Sequence, residues 1–127
     1  MNITELKQVL DQHTAWLKDN TTGARANLRG ADLSNINLYG ANLSNADLCG
    51  DNLSNANLSN ANLCGANLYG ANLNSVNLSN ANLSNANLCY SNLRNANLRG
   101  VNLYGADLRD TDLRGAVIAN GWILDKA

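Results

Sequence analysis

The chain has 127 residues, enough for one hydrophobic core and too few for two. Its formal net charge is −1, from 9 Lys and Arg against 10 Asp and Glu, which excludes a strongly one-signed surface. Pro and Phe are absent and Asn occurs 25 times, a bias that raises the question of a low-complexity tract.

The N-terminal stretch MNITELKQVLDQHTAWLKDN mixes charges into its apolar positions, so it reads neither as a signal peptide nor as a membrane span. Ile3, Leu6, Leu10 and Leu17 fall at helical spacing, flanked by Val9 and Trp16. Asn2 with Glu5 is a helix-start signal and DNTTG (19–23) is a loop, so the spacing predicts one amphipathic helix over 3–18, inside an N-terminal unit of 1–25. The single histidine, His13, sits on this helix with no second metal-type ligand at helical spacing. It reads as structural or solvated.

From Ala26 to Asn120 the chain is 19 consecutive pentads. Leu occupies every fifth position from 28 to 113, 18 times without a break, and Ile118 and Ile123 continue the series. Asn or Asp precedes each Leu, and a small or apolar residue, usually Ala, precedes that. Two residues after each Leu, Gly and Asn dominate. On a helix a step of five advances roughly 140°, winding the leucines around the surface. On a flat strand they would alternate between faces. The Ala and Leu of one pentad share one side of a short extended segment. A turn at Gly or Asn, which readily take positive φ, lets the next pair face the same way. One bend per pentad coils the chain with Ala and Leu inside. A disordered Asn-rich tract would not hold Leu in 18 successive slots.

The run of A(N/D)LXX units over residues 26–120 resembles the pentapeptide repeat family. The resemblance implies an all-β solenoid, a right-handed quadrilateral β-helix with four pentads per coil, here of between four and five coils. At the usual β spacing the stack is on the order of 23 Å tall. The open ends of such a stack require covering. The 3–18 helix is expected over the first coil. VIANGWIL (117–124), running into a tail of 121–127, is expected at the other end, either as a cap or as an end-to-end dimer contact. Family members that dimerise do so through their C-terminal ends; the short tail here favours a monomer.

Asp51 takes an Ala slot, in a column with Ala31, Ala71, Ser91 and Thr111 on a 20-residue coil, and is the anomaly of the core. A buried unpaired carboxylate is costly, so it should find donors or lie near the surface. Cys49, Cys64 and Cys89 have no CxxC spacing. Cys49 and Cys89 lie two coils apart, about 10 Å, too far for a disulfide, so free outward thiols are expected. The slot after Leu carries Tyr39, Tyr69 and Tyr104 with Arg29, Arg94, Arg99, Arg109 and Arg114. Arg94, Arg99, Arg109 and Arg114, with Tyr104, form the candidate partner surface, because exposed Tyr and Arg are favoured at interfaces. Asp107, Asp110 and Asp112 nearly cancel the arginines, which argues against nucleic acid.

The best understood proteins that this family resemblance brings in protect or inhibit DNA gyrase by presenting a strongly acidic, DNA-like rod. Here Asn52 to Leu93 carries no charge at all. No acid–base pair, phosphate loop or metal cluster is visible, so no catalytic residue, cofactor or metal is expected. The expectation is a non-catalytic interaction scaffold in the cytoplasm with an unknown protein partner, no nucleic acid and no membrane. DNA-mimicry of the gyrase type is the alternative.

Overall fold

The computed structural model describes residues 1–118 and 122–124, the last three by their backbone alone. Helix α1 spans Ile3–Lys18, as the spacing predicts. Asn2 caps it, its side-chain oxygen accepting from the Glu5 amide at 2.8 Å. The buried stripe differs from the expected one. Leu6 and His13 are buried and Val9 and Leu10 half-buried against the core, while Ile3 is 69% exposed. The residues that reach the first coil run from Leu6 to His13, one to three turns in, while Ile3 at the helix start faces solvent.

After α1, parallel bridges join each Asn or Asp to the residue 20 positions on, from Asn27↔Asp47 through Asn97↔Val117. One coil is therefore 20 residues, four pentads, and the chain has four faces. The first face runs through Leu28, Leu48, Leu68, Leu88 and Leu108. The second starts at Leu33, the third at Leu38 and the fourth at Leu43. Leu43 to Leu98 are at most 1% exposed and form one continuous apolar column with the Ala slots.

Each pentad position satisfies its backbone N–H in a fixed way, which explains the repeat. The Asn/Asp amide donates to the Ala-slot carbonyl of the coil before, as Asp47 to Ala26 at 3.0 Å. The Leu amide donates to the Asn/Asp carbonyl of the coil after, as Leu28 to Asp47 at 2.8 Å. The next Ala amide closes a turn onto the Leu carbonyl, as Ala31 to Leu28 at 3.0 Å. The third residue of that turn has positive φ, 66° at Gly30 and 62° at Asn35, the type II pattern that Gly and Asn serve. It donates its own N–H to the coil after, as Gly30 to Cys49 at 2.9 Å. The remaining amide, just after Leu, has no ladder partner. The Asn/Asp side chain takes it: Asn37 Oδ1 accepts from the Tyr39 amide at 3.0 Å, and Asp32 Oδ1 accepts both the amide and the hydroxyl of Ser34. Asn or Asp is therefore in that slot for a backbone reason.

At the C-terminal end Val117 continues the ladder, accepting the Leu98 amide at 2.7 Å. Strand β1 (Ala116–Ile118) then pairs antiparallel with β2 (Trp122–Leu124). Residues 119–121 and 125–127 of the expected C-terminal segment, and the bulk expected of Trp122, lie outside the described residues.

Candidate functional site

The five residues expected to form one partner surface are divided among the four faces. Arg109 lies on the first, Arg94 and Arg114 on the second, Arg99 on the third and Tyr104 on the fourth, since the 20-residue coil fixes each column. Two of the arginines are engaged locally. Arg109 Nε and Nη2 grip Asp107 at 2.9 and 2.6 Å, and Arg114 Nε bonds Asp112 at 2.9 Å. Each guanidinium holds its carboxylate below the usual range, and the carboxylate raises the guanidinium in turn. Arg94 and Arg99 make no ion pair among the described residues. Tyr104 is the most exposed tyrosine, at 81%.

The first face has the most varied chemistry. The slot after Leu reads Arg29, Cys49, Tyr69, Cys89, Arg109 from coil to coil, and Arg29 pairs with Asp47 at 3.2 Å as Arg109 does with Asp107. Sequence reading passed over a further residue there, Tyr90. It stands in the turn slot otherwise held by Gly, Asn, Ser75 or Asp110, and it adopts φ 60°. Its ring lies 5.5 Å from that of Tyr69, tilted by 57°. The break in slot chemistry at LCYSN (88–92) was the signal that could have found it.

The thiols are free, as expected, but not all outward: Cys89 is buried, Cys49 and Cys64 half-buried. Burial pushes the Cys89 thiol up, and the adjacent Asp107 carboxylate adds to this. Among the described residues no group of three His, Cys, Asp or Glu could hold a metal ion.

Asp51 is 1% exposed. One carboxyl oxygen accepts the Ala31 amide at 2.9 Å; the other has no hydrogen-bond partner among the described residues. Burial raises its pKa to about 7, against a smaller lowering by the Ala31 amide. Ser91 and Thr111, in the same column, both donate to the Leu88 carbonyl at 2.7 Å and leave nothing for Asp51.

His13 is fully buried and locks α1 to the first coil. Nδ1 accepts the Ala26 amide at 2.9 Å and Nε2 lies 2.9 Å from the Ser44 carbonyl. An amide can only donate and a carbonyl only accept, so the ring is neutral with its proton on Nε2. Trp16 stacks on it at 5.6 Å. Burial lowers its pKa; the Ser44 hydrogen bond opposes this and the Arg25 cation adds to it.

Eight copies of the pentapeptide repeats family match residues 24–50, 52–88 and 77–115. No curated protein matches the chain significantly. Among solved structures, Rfr23 from the cyanobacterium Cyanothece 51142 is 44% identical over 76% of this chain and 67% of its own, with a TM-score of 0.72. HetL from Nostoc sp. strain PCC 7120, a protein involved in heterocyst differentiation regulation, is 40% identical over 80% of this chain, with a TM-score of 0.68. The match spans 50% of HetL's length. QnrB1, a plasmid-mediated fluoroquinolone resistance protein, shares the fold at 24% identity, a TM-score of 0.62, 74% of this chain and 47% of its own. With the repeat profile covering most of its length, the chain belongs to the pentapeptide repeat family.

Proposed function

We propose that the chain is a rigid, non-catalytic interaction scaffold: a right-handed quadrilateral coil, capped by α1, that presents its first face to a protein partner. The observation that carries this reading is the concentration of Arg, Tyr and Cys on that face, against mostly Asn and Ser on the fourth. The backbone amides of the inner coils beneath it bond to the coils on either side and offer a fixed platform, and preorganised surfaces lose little entropy on binding. Arg109 of the expected surface belongs to this face; Arg94 and Arg114 on the second face and Tyr104 on the fourth border it, and Arg99 lies on the opposite, third face. The chain works in the cytoplasm as a monomer rather than as an end-to-end dimer through 117–124.

Gyrase-type DNA mimicry finds less support. Beyond the uncharged middle coils, Asp47, Asp107 and Asp112 are each paired with an arginine, which leaves no continuous acidic track among the described residues. The test is capture from host extract by the tagged chain, read by mass spectrometry. One stoichiometric protein, lost when Tyr69 and Arg109 are changed to Ser but kept with Tyr104→Ser, supports the scaffold. Retention by both variants moves the surface elsewhere, and gyrase subunits with altered supercoiling would replace the reading with mimicry.

A further inference from the structure

Among the described residues Tyr90 is the one aromatic held at positive φ, in a slot where every other coil uses a small or short polar residue. A bulky side chain is disfavoured in that region, and such strain persists where the surroundings hold the residue for a purpose. Its consequence is geometric. The phenol is set against Tyr69 of the previous coil, and Gly70, the residue before Tyr90 in its own column, adds nothing to fill the space beside them. Tyr69, Tyr90, Asn87, Cys89, Arg109 and Asp110 line an open hollow of about 260 Å³.

The charges around the hollow do not cancel. Arg109 is bound through Nε and Nη2 to Asp107. Asp110 makes no ion pair among the described residues and stands beside the Tyr90 phenol, which it holds above the ordinary tyrosine range. One uncompensated carboxylate therefore adjoins two exposed aromatic rings whose π faces are negative.

We propose that this aromatic and acidic corner binds an organic ammonium group. An anion would meet Asp110 and an arginine already occupied. A metal ion would find a single carboxylate there, and among the described residues no group of three His, Cys, Asp or Glu that could hold it. An alkylated ammonium matches both features, its charge on Asp110 and its methylene or methyl groups on the rings. The lysine side chain of a protein and a free quaternary amine share this chemistry.

The test is an NMR titration of the full chain, following the ring protons of Tyr69 and Tyr90. The probes are N-acetyl-lysine methylamide, tetramethylammonium and, as the neutral body of similar shape, tert-butanol. Saturable shifts with the two cations, at a Kd of roughly 1–10 mM, and none with tert-butanol are expected. Tyr90→Asn should weaken binding by about fivefold or more. The fold tolerates that change, since Asn85 and Asn95 hold the same turn slot. Asp110→Asn should weaken binding by about threefold and flatten its salt dependence. Tighter binding of the lysine probe assigns a protein source; tighter binding of tetramethylammonium assigns a free amine. Absence of saturation, an equal response to tert-butanol, or unchanged affinity in Tyr90→Asn overturns the proposal. It stands apart from the scaffold reading: ammonium binding by a chain that captures no protein would sink that reading and leave this one intact.

Discussion

The two ends of the stack are built from the same repeat and finished differently. Under α1 the first-coil leucines Leu28, Leu33 and Leu38 are 2%, 2% and 5% exposed, whereas Leu103, Leu108 and Leu113 of the last described coil are only half-buried. The exceptional residues divide the same way. Near the helix they point inward: His13 and Asp51 are both buried. Toward the other end the buried exceptions, Ser91 and Thr111, are neutral, and the charged or aromatic ones, Tyr90, Arg109 and Asp110, stand on the surface. A repeat fixes the middle of such a molecule; the departures from it decide what each end does.

The largest effect should come from asking how much a leucine contributes at each position. Leu73, fully buried mid-stack, should lose about 2–5 kcal/mol on change to Ala, because both flanking coils hold the cavity open. Leu108→Ala should lose about 1 kcal/mol, since a half-buried side chain gives up less transfer energy and leaves no closed void. Chemical denaturation of both variants measures the gap. Equal losses would mean that the C-terminal end is as well covered as the middle, and the contrast between the ends would fall.

The covered end can be probed through its two buried titratable groups, which act with opposite sign. His13 is faced by the Ala26 amide, the Ser44 carbonyl, the Trp16 ring and the Arg25 cation, and its pKa lies below 6.5. The unfolded chain takes up that proton first, so the stability this ring contributes is present above pH 6.5 and lost as pH falls through the lowered folded value. His13→Ala strands the Ala26 amide and should cost about 1–3 kcal/mol at pH 7. Asp51 runs the other way. Its folded pKa is raised from 3.8 to about 7, so stability falls as pH rises across that interval. Asp51→Ala should stabilise the fold by on the order of 2–3 kcal/mol at pH 8 and by little at pH 4. The Ala31 amide keeps the Leu28 carbonyl at 3.0 Å when the carboxylate is gone. Stability curves against pH for the two variants should thus diverge in opposite directions from the parent; a parallel pair would sink the assignment of both groups.

The coil was legible from the spacing of Leu together with the Ala two residues before it and the Gly or Asn two after, because these slots together leave one way to bury the leucines. The register, 20 residues per coil, followed from the family resemblance and is what the bridges show. The partner surface was less legible. Arg94, Arg99, Arg109 and Arg114 are close in sequence, but a step of five turns one corner and a step of ten turns two, so only Arg94 and Arg114, 20 residues apart, share a face. Nearness on this fold is a matter of twenties, and Tyr69 with Tyr90, at 21, obeys it. His13 illustrates a second limit. Helical periodicity gives a face, but not that two backbone groups of a distant coil would meet both ring nitrogens.

The smallest effect concerns Tyr90 and bears on why the outer end departs from the repeat at all. A left-handed backbone disfavours a side chain of this kind by roughly 1–2 kcal/mol, and Asn relieves much of it. The Tyr69 ring returns about 0.5–1.5 kcal/mol through the tilted contact. Tyr90→Asn in the parent should therefore change stability by less than about 1 kcal/mol, the two terms offsetting. In a Tyr69→Ser background the ring contact is already lost, and the same change should stabilise by about 1 kcal/mol. The difference between the two backgrounds isolates the ring pair, because each single change removes the contact without replacing it. Should Tyr90→Asn be equally stabilising in both, the rings contribute nothing to each other. The strained tyrosine would then have no stabilising role within the chain, and its reason would have to be sought in what binds beside it.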